Sequence, residues 1–152
     1  MKELYRDIFR VKAVMCEDDE TVLNGFLYMR FGTVPHVSVF DPDDRDKDEW
    51  WEVERSTICR CTGIMLPETQ GYLYEYDLVE FVEPFREETM RMGYIDFDDY
   101  SSSWVIRVSA NTSLKRHLKT CLRVRVIGNV ILYKDDMPKF QTYTDSREND
   151  QY

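Results

Sequence analysis

With 152 residues, 43% of them hydrophobic, the chain is long enough for one packed domain or two small lobes, and too apolar to be wholly disordered. No run approaches the roughly 18 apolar residues that span a bilayer, and the opening MKELYRDIFR lacks the apolar stretch of a signal peptide, so a cytoplasmic location without a membrane partner is expected. The net charge of −9 weighs against generic binding to phosphate backbones, where affinity comes from counterions released by clustered Lys and Arg.

Residues 8–16 (IFRVKAVMC) set Phe9, Val11, Ala13 and Met15 against Arg10 and Lys12, the pattern of a half-buried strand. In residues 21–31 (TVLNGFLYMRF) Asn24-Gly25 stands between apolar runs and predicts a hairpin turn, because both positions tolerate positive φ. A short strand follows at 34–40, entered through Pro35. Residues 41–49 (DPDDRDKDE) are too charged to bury and predict an exposed loop. Strand character returns at 50–65 with Trp51, Val53, Ile58, Cys59 and Cys61, breaks at Gly63, and gives way to a turn at 67–71.

Residues 72–81 (YLYEYDLVEF) alternate again. Residues 83–100 fit neither period and read as a long irregular connection, followed by a strand at 104–109 with Trp104, Ile106 and Val108 on one side. Residues 111–118 (NTSLKRHL) are the best helix candidate, with capping oxygens at the start and basic residues near the end. Residues 122–133 hold a strand, an interruption at Gly128-Asn129 and a second apolar run; residues 141–152 read as a frayed polar tail. The sum is a mainly β protein with one short helix: one unit over 1–140, made of two strand-rich lobes (about 1–62 and 63–140), then the tail 141–152.

No stretch carries a catalytic signature. Ser101, Ser102 and Ser103 lack a nucleophile-elbow context, and six scattered glycines form no phosphate-binding loop. Cys16, Cys59, Cys61 and Cys121 are too few for a disulfide scaffold. Cys59 and Cys61 would share a strand face, but structural zinc needs paired knuckles at wider spacing. Asp44, Asp46 and Asp48 imitate a calcium loop, yet Glu49 stands where glycine is required and Arg55 where the bidentate Glu belongs. The expectation is a protein that is not an enzyme and takes no metal or cofactor.

Charge is segregated. Residues 41–55 hold eight acids against three bases, whereas residues 105–125 hold six bases (Arg107, Lys115, Arg116, Lys119, Arg123 and Arg125) and no acid. If 122–127 is a regular strand, Arg123 and Arg125 share a face, and the six bases form a candidate interaction face.

Several segments share motifs with a known family. These are Cys61-Thr62-Gly63-Ile64, then Leu73-Tyr74-Glu75-Tyr76-Asp77-Leu78-Val79, then Val126-Ile127-Gly128-Asn129-Val130, with a short Phe9-Arg10 near the start. In order and rough spacing they resemble the YopX family, small proteins encoded mainly by bacteriophages and prophages. The resemblance implies a β-rich fold with small barrel-like, SH3-like elements, a phage or prophage setting, and no catalytic residues. Tyr76 stands where the family prefers glycine, the tryptophan after Phe-Arg is absent, and Glu68-Thr69-Gln70-Gly71 replaces an Asn-Gly-Lys turn. Without the family, Gly63 and Gly128 read as strand-end residues supplying a backbone conformation closed to others. Asp77 reads as the acceptor for a turn amide rather than as a base.

The functional expectation is an accessory protein that binds other proteins, of host or phage, and associates with itself as a homo-oligomer; the acidic and basic segments would be satisfied either within one chain or, as favoured, in a head-to-tail contact that closes into a ring. The alternative is a nucleic-acid-associated factor using the 107–125 face, which the net charge disfavours but leaves open.

Overall fold

Period-two alternation governs most of the chain, and in the computed structural model, which describes residues 10–39, 49–67 and 71–150, it is realised as antiparallel strands. The chain divides into two units, Met1–Ile64 and Met65–Tyr152. Among the described residues no helix is long and apolar enough to cross a membrane.

In the first unit, β1 (Arg10–Val14), β2 (Val22–Arg30), β3 (Val34–Val39), β4 (Glu49–Glu52) and β5 (Cys59–Leu66) lie in the order β4-β3-β2-β1-β5. Val11, Ala13, Val37 and Val53 form the buried core on one side of this sheet, with Leu23 and Ile58 packed against it. Asn24 and Gly25 are not a turn. They lie inside β2 opposite Lys12 and Val11, and a Cβ on Gly25 would sit 2.0 Å from the Ser38 carbonyl oxygen. Glycine serves there to let β3 approach, not to reverse the chain. The reversals fall on either side. Asp18 accepts from the Glu20 amide (3.0 Å) and the Thr21 hydroxyl (2.6 Å), and the β2–β3 hairpin turns through Phe31 and Gly32, both at positive φ. The stretch 50–65 holds two strands separated by a 3-10 turn at Arg55–Thr57. The charged loop expected at 41–49 lies outside the described residues except for Glu49, which opens β4.

The second unit contains β6 (Gly71–Tyr74), β7 (Asp77–Glu83), β8 (Arg86–Asp98), β9 (Ser103–Arg107), β10 (Lys115–His117), β11 (Leu122–Asn129) and a helix, α1 (Asp136–Asp150). Its sheet runs β10-β9-β8-β7-β11. The alternating stretch 72–81 is two strands joined at Glu75 and Tyr76, with Tyr76 at φ 68. Much of the supposed connection 83–100 is β8, thirteen residues long. Its period was hidden because both faces are covered: Met92 and Tyr94 pack against the Phe140 cluster, while Ile95, between them and Phe97, is fully buried.

The expected helix at 111–118 does not form. Ser109 Oγ, just before the segment, accepts from the Asn111 and Thr112 amides (3.2 and 3.1 Å), so a side-chain oxygen closes a local turn there instead of capping a helix. Lys115, Arg116 and His117 then pair with Arg107, Ile106 and Val105. The helix lies where a frayed tail was expected. Met137, Phe140, Thr144 and Arg147 recur on one face of α1, Phe140 meets Tyr94 edge to face at 5.4 Å, and Tyr143 Oη accepts from the Met92 amide (3.2 Å). The apolar run after Gly128 is a turn feeding this helix.

The mainly β class with one short helix is as expected, but neither sheet is closed into a barrel. Closure needs the two outer strands to pair. In the second unit one outer strand, β10, has three residues, and the other, β11, has two register shifts that break its ladder.

Candidate functional site

The motif residues form a fold-holding knot. In the turn between β6 and β7, Asp77 Oδ2 accepts from the Tyr74 amide at 2.8 Å, as expected for Asp77. Asn129, almost fully buried, donates from Nδ2 to Asp77 Oδ1 (3.1 Å) and to the Glu75 carbonyl (3.3 Å). Its Oδ1 accepts from the Ile131 and Leu132 amides, both at 2.9 Å, and its own amide donates to Asp136 Oδ2 (2.9 Å) at the start of α1. Each of these polar groups is satisfied, so the knot aligns turn, strand end and helix. Tyr76 keeps the left-handed turn with a residue that finds it costly, and its ring packs near Tyr94.

Thr62 Oγ1 accepts from the Ile64 amide at 3.0 Å, and Gly63 has φ +75 within β5, the conformation expected of it. Gly128 differs: its φ is ordinary, and it is glycine because a Cβ would meet Asp136 Oδ2 at 2.1 Å. These side chains build the fold; they do not converge on a ligand.

The basic segment is largely spoken for within its own unit. Arg107 Nε bonds Asp96 (2.9 Å), Lys115 Nζ bonds Asp98 (2.7 Å), and Arg116 and Arg91 both bond Glu83 Oε1 at 2.7 Å. Arg125 pairs with Glu80, its cross-strand neighbour. Lys119 and Arg123 are exposed and make no ion pair among the described residues. Arg123 occupies a bulge at φ 52, where the register shifts between Leu122 and Arg125. That breaks the alternation that would have put Arg123 and Arg125 on one face.

Ionisation follows these contacts. Burial would raise Glu83, but the bonds from Arg116 and Arg91 outweigh it and hold the carboxyl low. Bonds from Lys115 and Ser101 lower Asp98 to about 2. Cys121 is pushed up to about 11 by burial and by Glu83, so its thiol stays protonated and a poor nucleophile. It lines a hollow of about 560 Å³ with Glu83, Pro84, Phe85, Arg116 and Thr120. Cys59 and Cys61 are buried thiols, Cys59 donating to the Thr57 carbonyl. No three His, Cys, Asp or Glu side chains converge among the described residues.

A different surface emerges in the first unit. Paired residues share a sheet face, so the registers Arg10↔Phe26, Tyr28↔His36, His36↔Glu52 and Ser38↔Trp50 place these side chains together, opposite the core. Lys12 and Arg30 join them by the period of two. The face interleaves Arg10, Lys12 and Arg30 with Phe26, Tyr28 and Trp50, and Glu52 is its one acid in β1–β4 among the described residues. The Arg10 guanidinium lies 5.8 Å from the Phe26 ring centre, and Arg30 lies 5.1 Å from that of Phe31 at the hairpin tip. Tyr28 and Trp50 are 51% and 46% exposed, their centroids 4.8 Å apart and their planes tilted by 56°. With Arg30 and His36 they line a hollow of about 460 Å³.

This face was only partly visible in the sequence. Arg10 and Lys12 opposite Val11 were readable, but treating Asn24-Gly25 as a turn cut Phe26, Tyr28 and Arg30 from β1. The available signal was the i, i+2, i+4 spacing of those three residues. Comparison with family models finds no match, and comparisons with curated proteins and with solved structures find none.

Proposed function

We propose that this is a non-enzymatic binding protein whose working surface is the open face of the first unit's sheet and whose ligand is a polyanion. One observation carries the reading: Arg10, Lys12 and Arg30 alternate with aromatic rings across paired strands, and Glu52 is the one acid that β1–β4 place on this face among the described residues. The chain as a whole is acidic, but at physiological salt a charge is felt over about 8 Å. The net charge of −9 slows the encounter with a polyanion and discourages binding elsewhere on the chain. The 107–125 segment is the weaker candidate, since Arg107, Lys115, Arg116 and Arg125 already face carboxylates. An accessory role in a phage or prophage setting, in the cytoplasm, belongs to the proposal on the strength of the YopX resemblance.

The test is fluorescence anisotropy with labelled heparin, a polyanion without bases. The native protein is expected to bind it and to release it as salt rises. Arg10→Glu with Arg30→Glu should abolish binding, and Lys119→Glu with Arg123→Glu should leave it intact. The reverse pattern, or no binding by the native protein, would remove this reading.

A further inference from the structure

We propose that the hollow beside the β7–β8 turn binds a small organic anion, a carboxylate on one apolar chain, with Arg116 at its head and Phe85 over its body. The site lies in the second unit and does not depend on the polyanion reading. Its volume of about 560 Å³ falls in the range of small-molecule pockets. Pro84 and Phe85 form the link between β7 and β8, and the Phe85 ring, at the rim of the hollow, is 99% exposed. A ring left in water costs free energy that an apolar body beneath it would relieve.

Arg116 supplies the contact to the head. Its Nε donates to Glu83 Oε1 (2.7 Å) and its Nη1 to the Lys115 carbonyl (3.1 Å), which fixes the guanidinium in place. Its Nη2 makes no hydrogen bond among the described residues. Thr120 and Cys121 both donate to the His117 carbonyl. Arg116 is therefore the side-chain donor that the lining leaves open, and a carboxylate is the strong partner of a guanidinium.

The charges select the sign of the ligand. Glu83 is one carboxylate between two guanidiniums, since Arg91 Nη1 also bonds its Oε1 at 2.7 Å. An arriving anion meets two attractions against one repulsion, and an ammonium meets the reverse. Cys121, kept protonated by burial and by Glu83, forms a neutral wall that does not oppose the anion. A polyanion fits less well, because one open guanidinium edge offers a single contact where counterion release needs several.

The experiment uses the full chain and compares octanoate, 1-octanol, octylammonium and acetate by titration calorimetry, with light scattering alongside. Octanoate is expected to bind about 10-fold or more tighter than 1-octanol, the effect of one charge-assisted bond. Octylammonium should be weaker still, and acetate, a head without a body, should show no binding. Octanoate should also slow alkylation of Cys121 at the wall of the hollow, read by peptide mass mapping, while the exposed Cys16 reacts at an unchanged rate. Arg116→Gln should erase the preference for octanoate and keep the binding of 1-octanol. Phe85→Ala, at a residue with almost no buried surface, should weaken both ligands alike, and it carries the test if Arg116→Gln disturbs the circular dichroism spectrum. Equal binding of octanoate and 1-octanol, or tighter binding of octylammonium, would overturn the inference. Octanoate binding that Phe85→Ala leaves unchanged, or that leaves Cys121 unprotected, would place the ligand elsewhere and overturn it too. So would a dimer dispersed by Phe85→Ala with no probe bound, which would give the hollow to a second copy. None of these outcomes bears on heparin binding by the first unit, so the two readings fail separately.

Discussion

Two groups of basic side chains lie on strands of this protein, and their surroundings separate them. In the second unit Arg91, Arg107, Lys115, Arg116 and Arg125 face acids on β7 and β8, across ladders or turns. Their charge is returned within the sheet, and what they add is register and local stability. In the first unit Arg10 and Arg30 lie over aromatic rings, a contact that orients a guanidinium. The lesson is that a count of bases along a sequence locates neither kind. What the neighbouring strand carries decides whether a cation meets an acid or an aromatic ring.

The strongest way to separate the units is to damage the second alone. Phe140 is fully buried between α1 and the sheet, so Phe140→Ala should cost about 3–5 kcal/mol, the price of an unfilled aromatic cavity. Urea unfolding followed at both near-ultraviolet and far-ultraviolet wavelengths checks the loss. In the still-folded variant heparin affinity should be unchanged; a parallel loss of binding would undo the contrast.

A smaller effect is expected at Glu83, which accepts from Arg91 and Arg116 at once. Glu83→Gln weakens two charge-assisted bonds and should destabilise by about 1–3 kcal/mol. The two released arginines also sharpen the comparison. If availability is what matters, this variant should gain some heparin binding that the native second unit lacks, read as extra affinity in an Arg10→Glu, Arg30→Glu background.

The smallest effect is one of pH. Asp98 titrates at about 2 because Lys115 and Ser101 bond its carboxylate, against an ordinary value of about 4. A depressed carboxyl contributes stability that is complete above the ordinary value and lost as pH falls through about 4 to about 2. Lys115→Met should move the Asp98 carbonyl resonance in a nuclear magnetic resonance titration toward the ordinary range. It should also flatten the fall in stability over that window. An unchanged titration would mean that Lys115 is not the cause.

The sequence by itself determined the class of fold and several local roles. Alternation in β1 and β9, the turn-forming Asp77 and the left-handed Gly63 are properties of a few neighbouring residues, and local chemistry is enough to read them. Other features were decided only by tertiary structure. Asn24-Gly25 has the chemistry of a turn, but Gly25 is required where β3 approaches β2. The polar run 136–150 is a helix because Met137, Phe140 and Tyr143 find a sheet to lie on, and a weakly amphipathic helix needs that partner to form. The open face of the first unit depends on the registers Arg10↔Phe26 and Tyr28↔His36. Strand register is a contact between residues distant in sequence, fixed by which faces bury apolar surface together, and no window of neighbouring residues contains it.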